Sequence, residues 1–122
     1  MHIILVHWKI APGREEEFLR YWSTSSRVGD RSGLIGEFLT APEEPSPYPW
    51  INWPLDPSYR SYINVGLWRD GAAFQREFGQ HIDDARPMLP FEAQRRTRIL
   101  LEASAWRIGD GALPAGDAEG VT

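Results

Sequence analysis

The 122-residue chain contains no cysteine. That excludes a disulfide framework, a thiolate nucleophile and thiolate metal sites. Long apolar runs are missing as well: no stretch approaches the ~20 residues needed to span a bilayer. The N-terminus carries neither a basic region nor a cleavage-site pattern, so no secretory signal is expected and the expected compartment is the cytoplasm. Positive charge is in short supply, with a net charge of −4. Nucleic-acid surfaces need clustered Lys and Arg. Only Arg95, Arg96 and Arg98 cluster, and they read as the solvated edge of a strand. His2, His7 and His81 are too scattered for a metal triad, so no metal is expected. No repeat of fixed period is present.

What the chain has in excess is indole. Six Trp in so short a chain exceed what one small core buries easily, so some are expected to line a cavity, a groove or a subunit contact. The length predicts one domain. Hydrophobic residues at 42% and charged residues at 25% are ordinary for a globular protein.

His2–Ile10 is β-branched, aromatic and apolar on both faces, which predicts a strand in the middle of a sheet. After Ala11-Pro12-Gly13, residues 14–25 read as a helix. Glu15, Glu16 and Glu17 occupy its first turn, where the macrodipole favours anions, and Phe18, Tyr21, Trp22 and Ser25 form the inward stripe. Leu34–Ala41 is a second predicted strand, with Leu34, Gly36 and Phe38 on one face and Ile35, Glu37 and Leu39 on the other. Residues 42–59 hold six of the ten prolines together with Tyr48, Trp50, Trp53 and Tyr59. A loop of that length is expected to be an ordered excursion that covers a pocket or reaches a partner.

Residues 61–68 alternate strictly, Ile63, Val65 and Leu67 against Tyr62, Asn64, Gly66 and Trp68. Asp70 then caps a helix with Phe74, Phe78 and Ile82 at helical spacing, ending before Pro87. Arg98–Ile108 is the last predicted strand, and 109–122 a tail. The order strand–helix–strand–strand–helix–strand predicts an α+β fold. It is the split βαββαβ pattern, a ferredoxin-like four-stranded antiparallel sheet over residues 1–108 with both helices on one face. The bare sheet face predicts a homodimer closed sheet against sheet.

The first strand with Ala-Pro-Gly-Arg-Glu-Glu-Glu-Phe, then Gly-Leu-Ile-Gly, then Asn-Val-Gly-Leu-Trp-Arg-Asp-Gly-Ala-Ala-Phe resembles the antibiotic biosynthesis monooxygenase-like family. The resemblance covers residues 2–108 and implies a dimeric α/β barrel of ferredoxin-like protomers. It implies a cofactor-independent monooxygenase whose Asn and Trp, four residues apart on one strand, are Asn64 and Trp68. Those side chains would donate hydrogen bonds to the oxyanion of a flat quinol- or polyketide-like substrate. The family's tyrosine falls at Phe74, which exchanges no proton, and Arg86 stands near the place of its arginine. His81 or His7 is then the proton acceptor, with Trp22, Trp50, Trp53, Phe74 and Phe78 walling the pocket. The haem-degrading branch places an Asn on the first strand and a Trp and a His along the second helix. Here the corresponding positions hold His7 or Lys9, and His81 alone. The alternatives are a non-catalytic ligand-binding or interaction dimer, and an isomerase, cyclase or haem-related member of the same fold. Where Trp50 and Trp53 lie discriminates the first of these from the lead.

Overall fold

A computed structural model describes residues 1–50, 53–79, 82 and 85–118. The elements are β1 (His2–Ile10), α1 (Glu15–Thr24), β2 (Leu34–Thr40), β3 (Arg60–Trp68), α2 (Gly71–Phe78) and β4 (Glu92–Glu102). They build one antiparallel sheet of order β2-β3-β1-β4, the ferredoxin-like α+β arrangement. β1, the strand whose apolar residues occupy both faces, lies inside the sheet between β3 and β4. No helix among the described residues is long and apolar enough to cross a membrane.

Strand parity decides which side chains meet the helices. Ile4, Trp8 and Ile10 of β1 and Tyr62, Asn64 and Trp68 of β3 are buried on the helix side. Two apolar clusters form there. Trp8, Ile10, Tyr62 and Phe91 close around Phe18 of α1. Ile4, Val28 and Trp68 close around Ala73 of α2. Aromatic rings knit the first cluster: Phe18 lies 4.9 Å from Trp8, 5.0 Å from Tyr62 and 5.6 Å from Phe91, all tilted as ring quadrupoles prefer. α2 starts where Asp70 accepts a hydrogen bond from the Ala73 amide at 2.8 Å, satisfying one of the helix's orphan donors. The opposite face carries rows of aliphatic pairs, Leu101–Ile3–Leu67 and Ile99–Leu5–Val65–Phe38. No helix covers it. Ile63, Val65 and Leu67 are therefore on the open face.

Four expectations are corrected. β4 begins at Glu92, not Arg98, and stops at Glu102, not Ile108. Its first half is charged on both faces, so alternation of hydropathy does not reveal it. α2 ends at Phe78 with Gly79 as its C-cap, short of the predicted approach to Pro87. A register shift in β2 between Leu34 and Gly36 leaves Ile35 as the extra residue. Leu34 thereby joins the Trp68 cluster instead of sharing a face with Gly36 and Phe38. Finally, the arginine cluster is not simply a solvated edge, because Arg96 and Arg98 turn towards the helix side.

Beyond β4 the tail is irregular yet docked. The Ala103 amide bonds to the Met1 carbonyl at 3.1 Å. Leu113 reaches Gly36 on the open face, where an added Cβ would stand 3.6 Å from its Cδ1. Asp117 makes a two-point ion pair with Arg31, at 2.6 and 3.0 Å. The tail thus runs from the β4 edge to the β2 edge.

Phe18 is fully buried at the centre of the larger cluster, so Phe18→Ala opens a cavity that tilted rings refill poorly. A loss of about 3–5 kcal/mol is expected in urea denaturation; a loss under ~1 kcal/mol would mean that the cluster collapses around the gap.

Candidate functional site

Between the helix side of the sheet and the two helices lies a cleft of about 370 Å³. Its floor is a strip across all four strands: Glu37 of β2, Asn64, Gly66 and Trp68 of β3, Ile4, Val6 and Trp8 of β1, Arg96 and Arg98 of β4. α1 supplies Tyr21 and Trp22, with its C-cap Ser25, as one wall; α2 supplies Phe74, Glu77 and Phe78 as the other. These wall residues follow from helical spacing, since positions three and four apart share a face.

Trp68 is 2% exposed and meets Phe74 and Phe78 edge-on, at 5.8 and 6.1 Å. Its indole folds back along its own strand over residue 66. A Cβ there would come within 3.0 Å of the Trp68 Nε1, so glycine is what lets the ring lie down towards Asn64.

Asn64 is 8% exposed, and its side chain joins three elements. The Trp22 Nε1–H donates to Oδ1 at 3.1 Å. The Asn64 Nδ2 donates to Glu37 Oε1 at 3.0 Å. An indole can only donate and an ionised carboxylate can only accept, so these neighbours fix which end of the amide is which. One Nδ2 hydrogen is left over, since Glu37 uses one of two.

Glu37 carries the unusual electrostatics. Burial raises its pKa above the ordinary 4.5, opposed by the Asn64 hydrogen bond and by the more distant Arg31 charge. It takes part in none of the ion pairs among the described residues. A second carboxylate among the described lining residues, Glu77, accepts from the Gly29 amide through Oε1 at 2.6 Å. Arg96 is held in place from two sides. Its guanidinium lies 4.4 Å from the Trp8 ring centroid and pairs with the buried Glu92 at 2.5 Å. The β1–β4 register shift between His7 and Lys9 turns it inward.

Of the residues singled out from sequence, Asn64, Trp68, Trp22, Phe74, Phe78 and Arg86 all line this cleft. His7 does not. It sits on the opposite face, with Nε2 2.8 Å from Ser61 Oγ, its ring against Tyr59, and a pKa lowered by burial and by Lys9. Odd parity on β1 sends it there, so it cannot serve the cleft as proton acceptor. Trp50 and Trp53 are 78% and 84% exposed and do not wall the cleft. His81 lies outside the described residues. Sequence reasoning passed over Glu37, Tyr21, Arg96 and Arg98 as site residues. For Glu37 the available signal was parity, since it shares the Leu39 face of its strand.

No family model and no curated protein matches the chain. Solved structures share its fold. A MhuD variant with two manganese protoporphyrin IX groups bound per active site aligns with a TM-score of 0.59 at 16% identity, over 89% of this chain and 100% of that one. The ActVA-Orf6 monooxygenase of Streptomyces coelicolor, in complex with Nanaomycin D, aligns with a TM-score of 0.56 at 12% identity, over 88% of this chain and 91% of that one.

The raised Glu37 pKa has a thermodynamic sign. The folded chain holds this proton more tightly than the unfolded chain, so stability due to Glu37 falls as pH rises from about 4.5 through the folded value. Glu37→Gln cannot ionise. Its urea midpoint should exceed that of the parent at pH 7, and the difference should vanish below pH ~4.5. A variant less stable than the parent at pH 7 would show that the carboxylate is better satisfied than its burial implies.

Proposed function

We propose that the protein is a cofactor-independent monooxygenase of the ferredoxin-like fold, acting on a flat, hydrophobic quinol- or anthrone-like molecule in this cleft. The observation that carries the reading is the floor of the cleft. An amide with a spare N–H and an indole lie along one strand, between aromatic walls from two helices. The fold neighbour crystallised with Nanaomycin D, a monooxygenase, supports the same substrate class.

The chemistry asks little of the protein beyond binding and charge stabilisation. An anthrone-type methylene loses a proton to give a carbanion delocalised onto the ring oxygen. Dioxygen adds to that carbon and water leaves, so methylene plus dioxygen becomes ketone plus water. Negative charge gathers on the oxygen as the proton departs, and donors fixed beforehand around it lower the barrier. Asn64 and Trp68 are the donors in this reading. Trp22, Phe74 and Phe78 hold the ring plane, and Arg86 lies at the wall. No histidine among the described residues lines the cleft.

The working unit we propose is a homodimer closed through the open sheet face. Its Ile99 side chain is 52% exposed and lies in the aliphatic row with Leu5 and Val65. Trp50 and Trp53, outside the cleft, are then partner contacts, the placement that the interaction-dimer alternative also expects; the polar floor of the cleft is what favours catalysis over it.

Asn64→Ala should remove oxygen uptake with an anthrone or quinol panel while circular dichroism stays native; removal of one oxyanion donor typically lowers kcat about 10²–10³-fold. A variant that kept full turnover would end the site assignment. Light scattering at micromolar concentration should give twice the monomer mass, and a monomer would dismiss the sheet-to-sheet dimer.

A further inference from the structure

We infer that Glu37 is the general base of this site, the group that takes the proton from the bound phenol or activated methylene. The inference rests on the monooxygenase reading for its substrate class, and on the geometry of the cleft for the residue.

Among the described residues of the cleft, few groups can accept a proton. Proton transfer needs an acceptor within hydrogen-bond reach of the substrate. Phe74 has no titratable atom, and His7 is on the wrong side of the sheet. Tyr21 lines the cleft, but a phenolic hydroxyl is by type a weak proton acceptor. Glu77 is tied to the Gly29 amide at a helix flank. Glu37 stands on the floor, on the strand next to Asn64.

Position is the second argument. Through Nδ2, Asn64 donates to Glu37 Oε1, and no hydrogen bond among the described residues engages Oε2. The same amide offers its other hydrogen to the substrate oxygen. One side chain therefore positions both the base and the developing oxyanion, and Trp22 locks its orientation from α1. Burial raises the basicity of the carboxylate, which brings it closer to a phenol or an activated carbon acid. Among the described residues, the charges sharing the cleft are Arg27, Glu77, Arg86, Arg96 and Arg98, with Arg31 acting from the turn before β2. In the step itself the substrate O–H or C–H bond breaks, its electron pair stays with the substrate, and the proton forms an O–H bond on Glu37. After dioxygen has added to the carbon, that proton passes from Glu37 to the outer peroxide oxygen; loss of the carbon's remaining hydrogen as a proton then forms the C=O bond as the O–O bond breaks, and both hydrogens leave in the water released.

The test separates proton transfer from oxygen chemistry. Anthrone is incubated with the full chain in deuterated buffer without oxygen, and methylene exchange is followed by NMR. Oxygen uptake is measured in parallel, and binding of anthraquinone is read from tryptophan fluorescence. The wild type should exchange faster than buffer. Glu37→Gln, isosteric and still an acceptor for Asn64, should bind anthraquinone normally yet lose exchange and uptake by about 10²-fold or more. Glu37→Asp should recover part of both.

Exchange by Glu37→Gln within about threefold of wild type overturns the assignment, as does a wild type no faster than buffer. A Glu37→Gln chain that stays folded but no longer binds anthraquinone overturns it too, in favour of a binding role. Wild-type exchange without oxygen uptake, lost in Glu37→Gln, upholds Glu37 as base and removes the monooxygenase reading instead.

Discussion

A buried amide has to satisfy an acceptor and donors at once, and in this protein that requirement falls on Asn64. Meeting it draws an indole from α1 and a carboxylate from β2 onto a single residue of β3. Leaving a buried polar atom unmet costs about 1–3 kcal/mol, comparable to a good part of a small domain's stability. The network therefore constrains the fold as well as the site. It sets how α1 rolls on the sheet, which edge of Asn64 faces the cleft, and how deep a carboxylate must sit. The wall of Phe74 and Phe78 then follows from where α2 starts, three residues after Trp68 leaves the sheet.

Much of the architecture was legible because its signals are local. Strict alternation in 61–68 marked β3, the Asp70 cap marked α2, and apolar residues on both faces of 2–10 marked an inner strand. Where local signals failed, the cause was partnership across the chain. The first half of β4, Glu-Ala-Gln-Arg-Arg-Thr, is polar on both faces and becomes a strand only because β1 offers it a ladder. The parity of β1 could not be read from a run apolar on both sides, and the expectation that His7 serves the cleft fails for that reason. The bulge at Ile35 is equally silent in sequence, since nothing in Leu-Ile-Gly announces which residue is the extra one.

The candidate site was half visible. Asn64 and Trp68 stood out through their spacing, and Trp22 through its helical stripe. Glu37 did not, because an acid in the middle of an edge strand ordinarily faces water. Its importance comes from an Asn 27 positions away, and only strand pairing reveals that. Trp50 and Trp53 misled in the other direction. Tryptophans in a proline-rich loop suggest a lid, yet the loop lies away from the cleft and leaves both rings exposed.

The docked tail has an electrostatic reach of its own. Arg31, which Asp117 grips at 2.6 Å, is also the cation whose field falls on Glu37. An anion beside Arg31 cancels part of that field, so a docked tail favours the proton on Glu37 and a released tail disfavours it. Linkage works in both directions: the protonation state of the cleft must bias the tail by the same free energy. Exposure and salt keep that coupling small. Even so, it joins the two faces of a thin sheet, one carrying chemistry and the other open to a neighbour, through a single guanidinium at their shared edge.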